Sequence, residues 1–98
     1  MFEIRTTLDF DQWLKRLRDA KAAVAITRRI IRASEGNFGT IRSVGEGVFE
    51  MKIDLGPGYR VYYIAVGKTV VVLLCGGDKS TQQKDIGKAQ KLAKAIGQ

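Results

Sequence analysis

The sequence predicts a small α+β domain: an N-terminal strand, an antiparallel helical hairpin, a three- to four-stranded antiparallel sheet and a C-terminal helix. Three observations carry that prediction. Apolar residues recur with a helical period at both ends of the chain and with a period of two in the middle. Glycine-rich turns separate the period-two segments. The chain has 98 residues, the scale of one domain, and no repeat, low-complexity stretch or linker divides it, so residues 1–98 form a single unit.

Residues 1–6 alternate Phe2, Ile4 and Thr6 against Glu3 and Arg5, the pattern of a half-buried strand. Asp9 with Gln12 three positions on forms a capping-box pattern, and Phe10, Trp13, Leu14 and Leu17 make one helical stripe. Asp19 opens a second helix, with Ala23, Ile26, Ile30 and Ala33 inward and Arg28, Arg29 and Arg32 on the other faces. Almost no linker separates the two helices, hence the hairpin, and Gly36, Asn37 and Gly39 end it.

A short strand at residues 41–44 precedes the Gly45-Glu46-Gly47 turn. Phe49, Met51, Ile53 and Leu55 then alternate with Glu50, Lys52 and Asp54, the cleanest strand signal in the chain. Gly56-Pro57-Gly58 turns the chain into residues 59–66, whose core face reads Tyr59, Val61, Tyr63 and Ala65. Residues 70–75 lack alternation, as expected of a strand covered on both faces. Ser80 with Gln83 has the capping-box pattern again, opening a helix with Ile86, Ala89, Ala93 and Ile96 inward and Lys84, Lys88 and Lys91 opposite.

Composition excludes several classes of function. No apolar run approaches the roughly 20 residues that span a bilayer, and Glu3, Arg5 and Asp9 interrupt any secretion signal. The single cysteine, Cys75, forms no internal disulfide, so the expectation is a cytoplasmic protein without a membrane partner. There is no histidine, which removes imidazole catalysis and, with one cysteine, a thiolate–imidazole zinc site; no metal or other cofactor is expected. Seventeen Lys and Arg against ten Asp and Glu give a net charge of +7, concentrated in residues 1–35 and 79–98. Such a domain attracts polyanions, nucleic acid first among them.

Two places are candidates for chemistry. If the Gly56-Pro57-Gly58 hairpin pairs its core faces, with Met51 and Ile53 against Val61 and Tyr63, parity puts Lys52, Asp54 and Arg60 together on the other face. A lysine and an arginine on neighbouring strands suit a phosphodiester, because the guanidinium grips two phosphate oxygens while the ammonium supplies a point charge. The plainer alternative is an Asp54–Arg60 ion pair on a solvated face. The second place is Gly76-Gly77-Asp78-Lys79-Ser80, where two glycines precede a helix N-terminus, either an anion site or simply a turn.

Three segments carry a resemblance to a known family. Phe10-Asp11-Gln12-Trp13-Leu14 opens the first helix; Val48-Phe49-Glu50-Met51-Lys52-Ile53 with Gly56-Pro57-Gly58-Tyr59-Arg60-Val61-Tyr62-Tyr63 forms the hairpin; Leu74-Cys75-Gly76-Gly77-Asp78-Lys79-Ser80-Thr81-Gln82-Gln83 leads into the last helix. Across essentially the whole chain the sequence resembles the RelE/ParE toxin superfamily, and within it the HigB-like, phage-derived Gp49-like addiction module killer proteins.

The resemblance implies a toxin of a type II toxin–antitoxin system, a metal-independent and ribosome-dependent mRNA endoribonuclease. The partners implied are a helix-turn-helix antitoxin, mRNA on the ribosome and, through the antitoxin, operator DNA. The catalytic set implied is Arg60, Lys52, Lys79, Lys84 and Asp85, with one of the three lysines as base. Adding Tyr59 and the lysine ridge gives the RNA-contacting set Lys52, Tyr59, Arg60, Lys79, Lys84, Lys88 and Lys91. On this reading Arg60→Ala abolishes toxicity and leaves folding and antitoxin binding largely intact. The sequence departs from many members in having no aromatic residue after Tyr63, which leans toward the alternative of a ParE-like gyrase inhibitor; a second alternative is a non-toxic binding protein of the operon.

Overall fold

The computed structural model describes residues 1–97. The elements run β1 (Glu3–Thr6), α1 (Leu8–Arg16), α2 (Ala20–Ser34), β2 (Ile41–Ser43), β3 (Phe49–Ile53), β4 (Tyr59–Val66), β5 (Val70–Gly77), a 3₁₀ turn (Lys79–Thr81) and α3 (Gln82–Ala95). The strands form one five-stranded sheet in the order β1-β5-β4-β3-β2. β2 to β5 are antiparallel neighbours, as the sequence implies, and β1 adds to β5 in parallel, with Ile4 beside Val71.

The alternation of each strand divides the core into two layers. Met51, Ile53, Tyr59, Val61, Tyr63, Val71 and Leu73 face α1 and α2, where Phe10, Trp13, Ala22, Ile26 and Ala33 pack on them. Tyr62, Ile64, Val72, Leu74 and Cys75 face the other way, against Ala89 and Ala93 of α3. β4 and β5 are thus covered on both sides, which is why Val70 to Cys75 carries no alternation. Ala65 is exposed, because the buried part of β4 ends at Ile64.

Helix starts differ from the expected ones in two of three cases. Thr7, not Asp9, caps α1: its hydroxyl accepts from the Phe10 N–H and donates to the Leu74 carbonyl, tying the helix to β5. Asp19 caps α2 as expected, accepting from the Lys21 and Ala22 N–H groups. Ser80 caps nothing; Asp78 accepts from the Ser80 N–H and hydroxyl and opens the 3₁₀ turn from which α3 continues. On α2 the inward positions are Ala22, Ile26, Ile30 and Ala33, with Ala22 in the place expected of Ala23, and Arg29 is half-buried, donating to the Lys52 and Phe38 carbonyls. On α3, Ile96 is exposed, and Leu92 packs on the sheet instead. No helix among the described residues is long and apolar enough to cross a membrane.

Candidate functional site

The β3–β4 register places Lys52 directly opposite Arg60, Met51 opposite Val61 and Ile53 opposite Tyr59. Lys52 and Arg60 therefore share the face that α3 packs against. β5 ends beside Arg60, with Gly77 as its register partner, and the chain leaves it through Asp78 to Lys79. Lys52, Arg60 and Lys79 thereby come to line one groove of about 370 Å³, whose rim is the Gly56-Pro57-Gly58 turn with Asp54 and Leu55. Three separate segments supply its three cations. Lys52 is partly exposed, and its Nζ lies 3.4 Å from the exposed Asp54 carboxylate, a contact of little energetic worth in water.

Arg60 is not a surface residue: only 6% of it is exposed. Its Nη1 donates to the Gly58 carbonyl, which folds the side chain back along the turn. Its Nε is buried without a hydrogen-bond partner and lies 3.8 Å from the Glu50 Oε2. The expected Asp54–Arg60 pair does not form; the counter-charge of Arg60 is Glu50, two positions earlier on the same strand face as Lys52. Because Arg60 is buried, Arg60→Ala removes packed side-chain volume and one of the two positive charges beside Glu50, which keeps Arg42, so that change carries a cost in stability.

Glu50 is the residue that sequence reasoning missed. It is 3% exposed, and its carboxylate accepts from Arg42 Nε at 2.9 Å, Gln82 Nε2 at 2.9 Å and the Tyr62 hydroxyl at 3.2 Å. Burial pushes the carboxyl up, but the hydrogen bonds from Arg42, Gln82 and Tyr62 and the Arg42 charge outweigh it and hold the group below its usual value. Burial and the same carboxylate push the Tyr62 hydroxyl up, so it remains a donor. The alternation of residues 49–55 gave Glu50 the look of a solvated position. The available signal was Tyr62 and Arg60 on the facing strand, two residues that need a buried acceptor once α3 covers that face.

The other expected site residues lie elsewhere. Tyr59 belongs to the opposite core layer, its ring centroid 6.4 Å from that of Trp13, because neighbours on a strand point to opposite faces; its assignment to RNA contact is corrected. Lys84, Lys88 and Lys91 are exposed on α3 and do not line the groove, and Lys88 Nζ is 3.5 Å from an Asp9 oxygen. Asp85 accepts from the Thr81 hydroxyl at 2.6 Å and sits over Gly77. The two glycines before the last helix are packing devices: a Cβ at Gly76 collides with the Trp13 ring and one at Gly77 with the Asp85 carboxylate. With Asp78 already on the Ser80 N–H, that segment is a turn and not an anion site. Hydrogen bonds from the Ser80 hydroxyl and N–H hold the Asp78 carboxyl below its usual value.

Comparisons with known proteins place the chain in a family and a fold. The family described as "Phage derived protein Gp49-like (DUF891)" matches residues 12–95. An uncharacterised protein of Haemophilus influenzae is 53% identical over 95 residues, covering 97% of this chain and 96% of the relative. Among solved structures, a chain of the intact E. coli RelBE toxin–antitoxin complex superposes with a TM-score of 0.63 at 13% identity, over 80% of this chain and 96% of that one. At that identity the likeness is one of fold.

Proposed function

From the premise that this chain belongs to the phage-derived Gp49-like family, we propose that it is the toxin of a type II toxin–antitoxin system. Its proposed activity is metal-independent, ribosome-dependent cleavage of mRNA in the cytoplasm, and its proposed partner is a helix-turn-helix antitoxin that represses the operon with it. The fold shared with the RelBE complex supports the class. The observation that carries the chemistry is the groove itself, where Lys52, Arg60 and Lys79 converge from three segments onto a volume suited to a sugar-phosphate chain.

In the proposed reaction the mRNA 2′-hydroxyl gives its proton to a water molecule and its oxygen attacks the adjacent phosphorus. The bond to the 5′-oxygen breaks, that oxygen takes up a proton from water, and the products are a 2′,3′-cyclic phosphate and a 5′-hydroxyl. Arg60 contributes a guanidinium fixed by Glu50 and the Gly58 carbonyl, so that it stabilises the added negative charge of the transition state without reorganising. Lys52, whose ammonium also meets Asp54, and Lys79 add two further positive charges to the groove, and Lys84 lies outside it at the start of α3. Positioning of the message by the ribosome supplies much of the rate, since a correctly held nucleophile is worth several kcal/mol.

Purified protein added to a translation reaction tests this reading. The expected result is mRNA cut within the reading frame, with 2′,3′-cyclic phosphate ends. Intact mRNA together with inhibited gyrase supercoiling overturns it in favour of a gyrase poison, and expression without growth arrest in favour of an operon-binding protein.

A further inference from the structure

The exposed side of α2 has features that the cationic groove does not use. The helix carries Lys21, Arg28, Arg29 and Arg32 and no acidic residue between Ala20 and Ser34. Arg29 is held inward by the Lys52 and Phe38 carbonyls. Lys21, Arg28 and Arg32 are exposed and have no ion-pair partner among the described residues. Between these cations lie aliphatic side chains that folding leaves in water: Val24 is 51% exposed and Ile31 55%. Val24, Arg28 and Ile31 stand at i, i+4 and i+7, on one stripe. Two grooves run along this helix, of about 400 and 340 Å³, and they meet at Ala25 and Arg28.

We propose that this stripe is the docking surface for an acidic amphipathic helix of a protein partner. Apolar residues at helical spacing on the partner cover Val24, Ala25 and Ile31, and carboxylates on its flanks meet Lys21, Arg28 and Arg32. Charge complementarity selects the occupant, because an all-basic helix face repels a second copy of itself. A phosphate chain is the poorer fit: it neutralises the cations but leaves Val24 and Ile31 in water. The proposal rests on the reading that the chain works with a protein partner and adds where that partner sits. The place has a consequence for regulation. The larger α2 groove shares Asp54 and Leu55 with the groove that holds Lys52, Arg60 and Lys79. A helix seated on α2 therefore reaches the rim of the cationic groove and narrows the entry of a bulky nucleic acid.

The test uses the intact chain and, as probe, the product of the reading frame adjacent to its own gene. Binding is measured for the wild type, Val24→Asp, Ile31→Asp and Arg28→Glu. Lys68→Glu, in the β4–β5 turn, controls for a change of charge alone. All four positions are exposed, and circular dichroism and melting confirm that each variant folds. The expected result is a loss of affinity of about thirtyfold or more in the three α2 variants, as for central interface residues, and less than threefold for Lys68→Glu. Undiminished binding by all three α2 variants overturns the docking site and leaves the partner reading standing. No complex at all with the wild type overturns the partner reading, and the docking proposal with it. Loss of RNA binding in Arg28→Glu but not in Val24→Asp or Ile31→Asp, with the protein complex intact, overturns the proposal in favour of nucleic acid. Self-association of the wild type that Ile31→Asp abolishes overturns it in favour of a second copy.

Discussion

Glu50→Ala is the perturbation that most directly measures what holds the cationic groove in shape. In the wild type the buried carboxylate receives Gln82, Tyr62 and Arg42 and neutralises the buried Arg60 guanidinium. Removal leaves Arg60, with 7% of its side chain exposed, without a counter-charge, and leaves the Tyr62 hydroxyl without its acceptor. Breaking a buried pair in this way costs about 3–5 kcal/mol. The 3.8 Å separation of Arg60 Nε from the carboxylate and the 57% exposure of Arg42 place the expected loss at the lower end, about 3 kcal/mol. For a domain of 98 residues that corresponds to a fall in melting temperature of roughly 12–24 °C. Thermal and urea unfolding followed by circular dichroism read it. The companion is Glu50→Ala with Arg60→Met, which removes both charges and recovers about 1–2 kcal/mol of the loss. A Glu50→Ala protein within 1 kcal/mol of the wild type, or a double variant no better than the single one, refutes the view that Glu50 neutralises a buried Arg60.

Three further outcomes follow from the same geometry. Gly76→Ala pushes a methyl into the Trp13 ring and destabilises by about 1–3 kcal/mol, whereas Gly87→Ala, in α3 with open space around it, stabilises by about 0.5–1 kcal/mol; urea midpoints separate the two. The Glu50 carboxyl is held below its unfolded value, so its contribution is present above that value, near pH 4.3, and is lost as pH falls through the folded one. The melting temperature of the wild type therefore falls more steeply between pH 5 and pH 3 than that of Glu50→Gln, and Asp78→Asn removes a smaller part of the same slope. Lys52→Ala and Lys79→Ala, whose side chains are at the surface, leave stability within about 0.5 kcal/mol of the wild type by the same unfolding assay.

The architecture was legible because its signals are periodic. The change from helical to alternating spacing marks β3, the apolar run at residues 70–75 marks a strand covered on both sides, and Asp19 marks the start of α2. Of the two helix starts that differ, one was set by a tertiary contact and one locally. Thr7 caps α1 because β5 offers its hydroxyl the Leu74 carbonyl, and Asp78 pre-empts Ser80 because its carboxylate takes both the Ser80 N–H and the Ser80 hydroxyl. Parity along β3 and β4 was enough to bring Lys52 and Arg60 to one face. It did not say whether that face is wet. Where α3 and Gln82 cover it, Glu50 and Arg60 are buried; where the Gly56-Pro57-Gly58 turn leaves it open, Lys52 remains at the surface. The same parity argument places Tyr59 on the far side of the sheet, away from the groove.

The central claim is that the three cations of one groove act on a phosphodiester. Single-turnover cleavage of an mRNA positioned on the ribosome, compared for the wild type, Lys52→Ala and Lys79→Ala, tests it most directly. Each loss of a groove cation is predicted to slow cleavage by about a hundredfold or more at unchanged stability, the scale for removing one preorganised transition-state contact. Cleavage by both variants at the wild-type rate contradicts the claim.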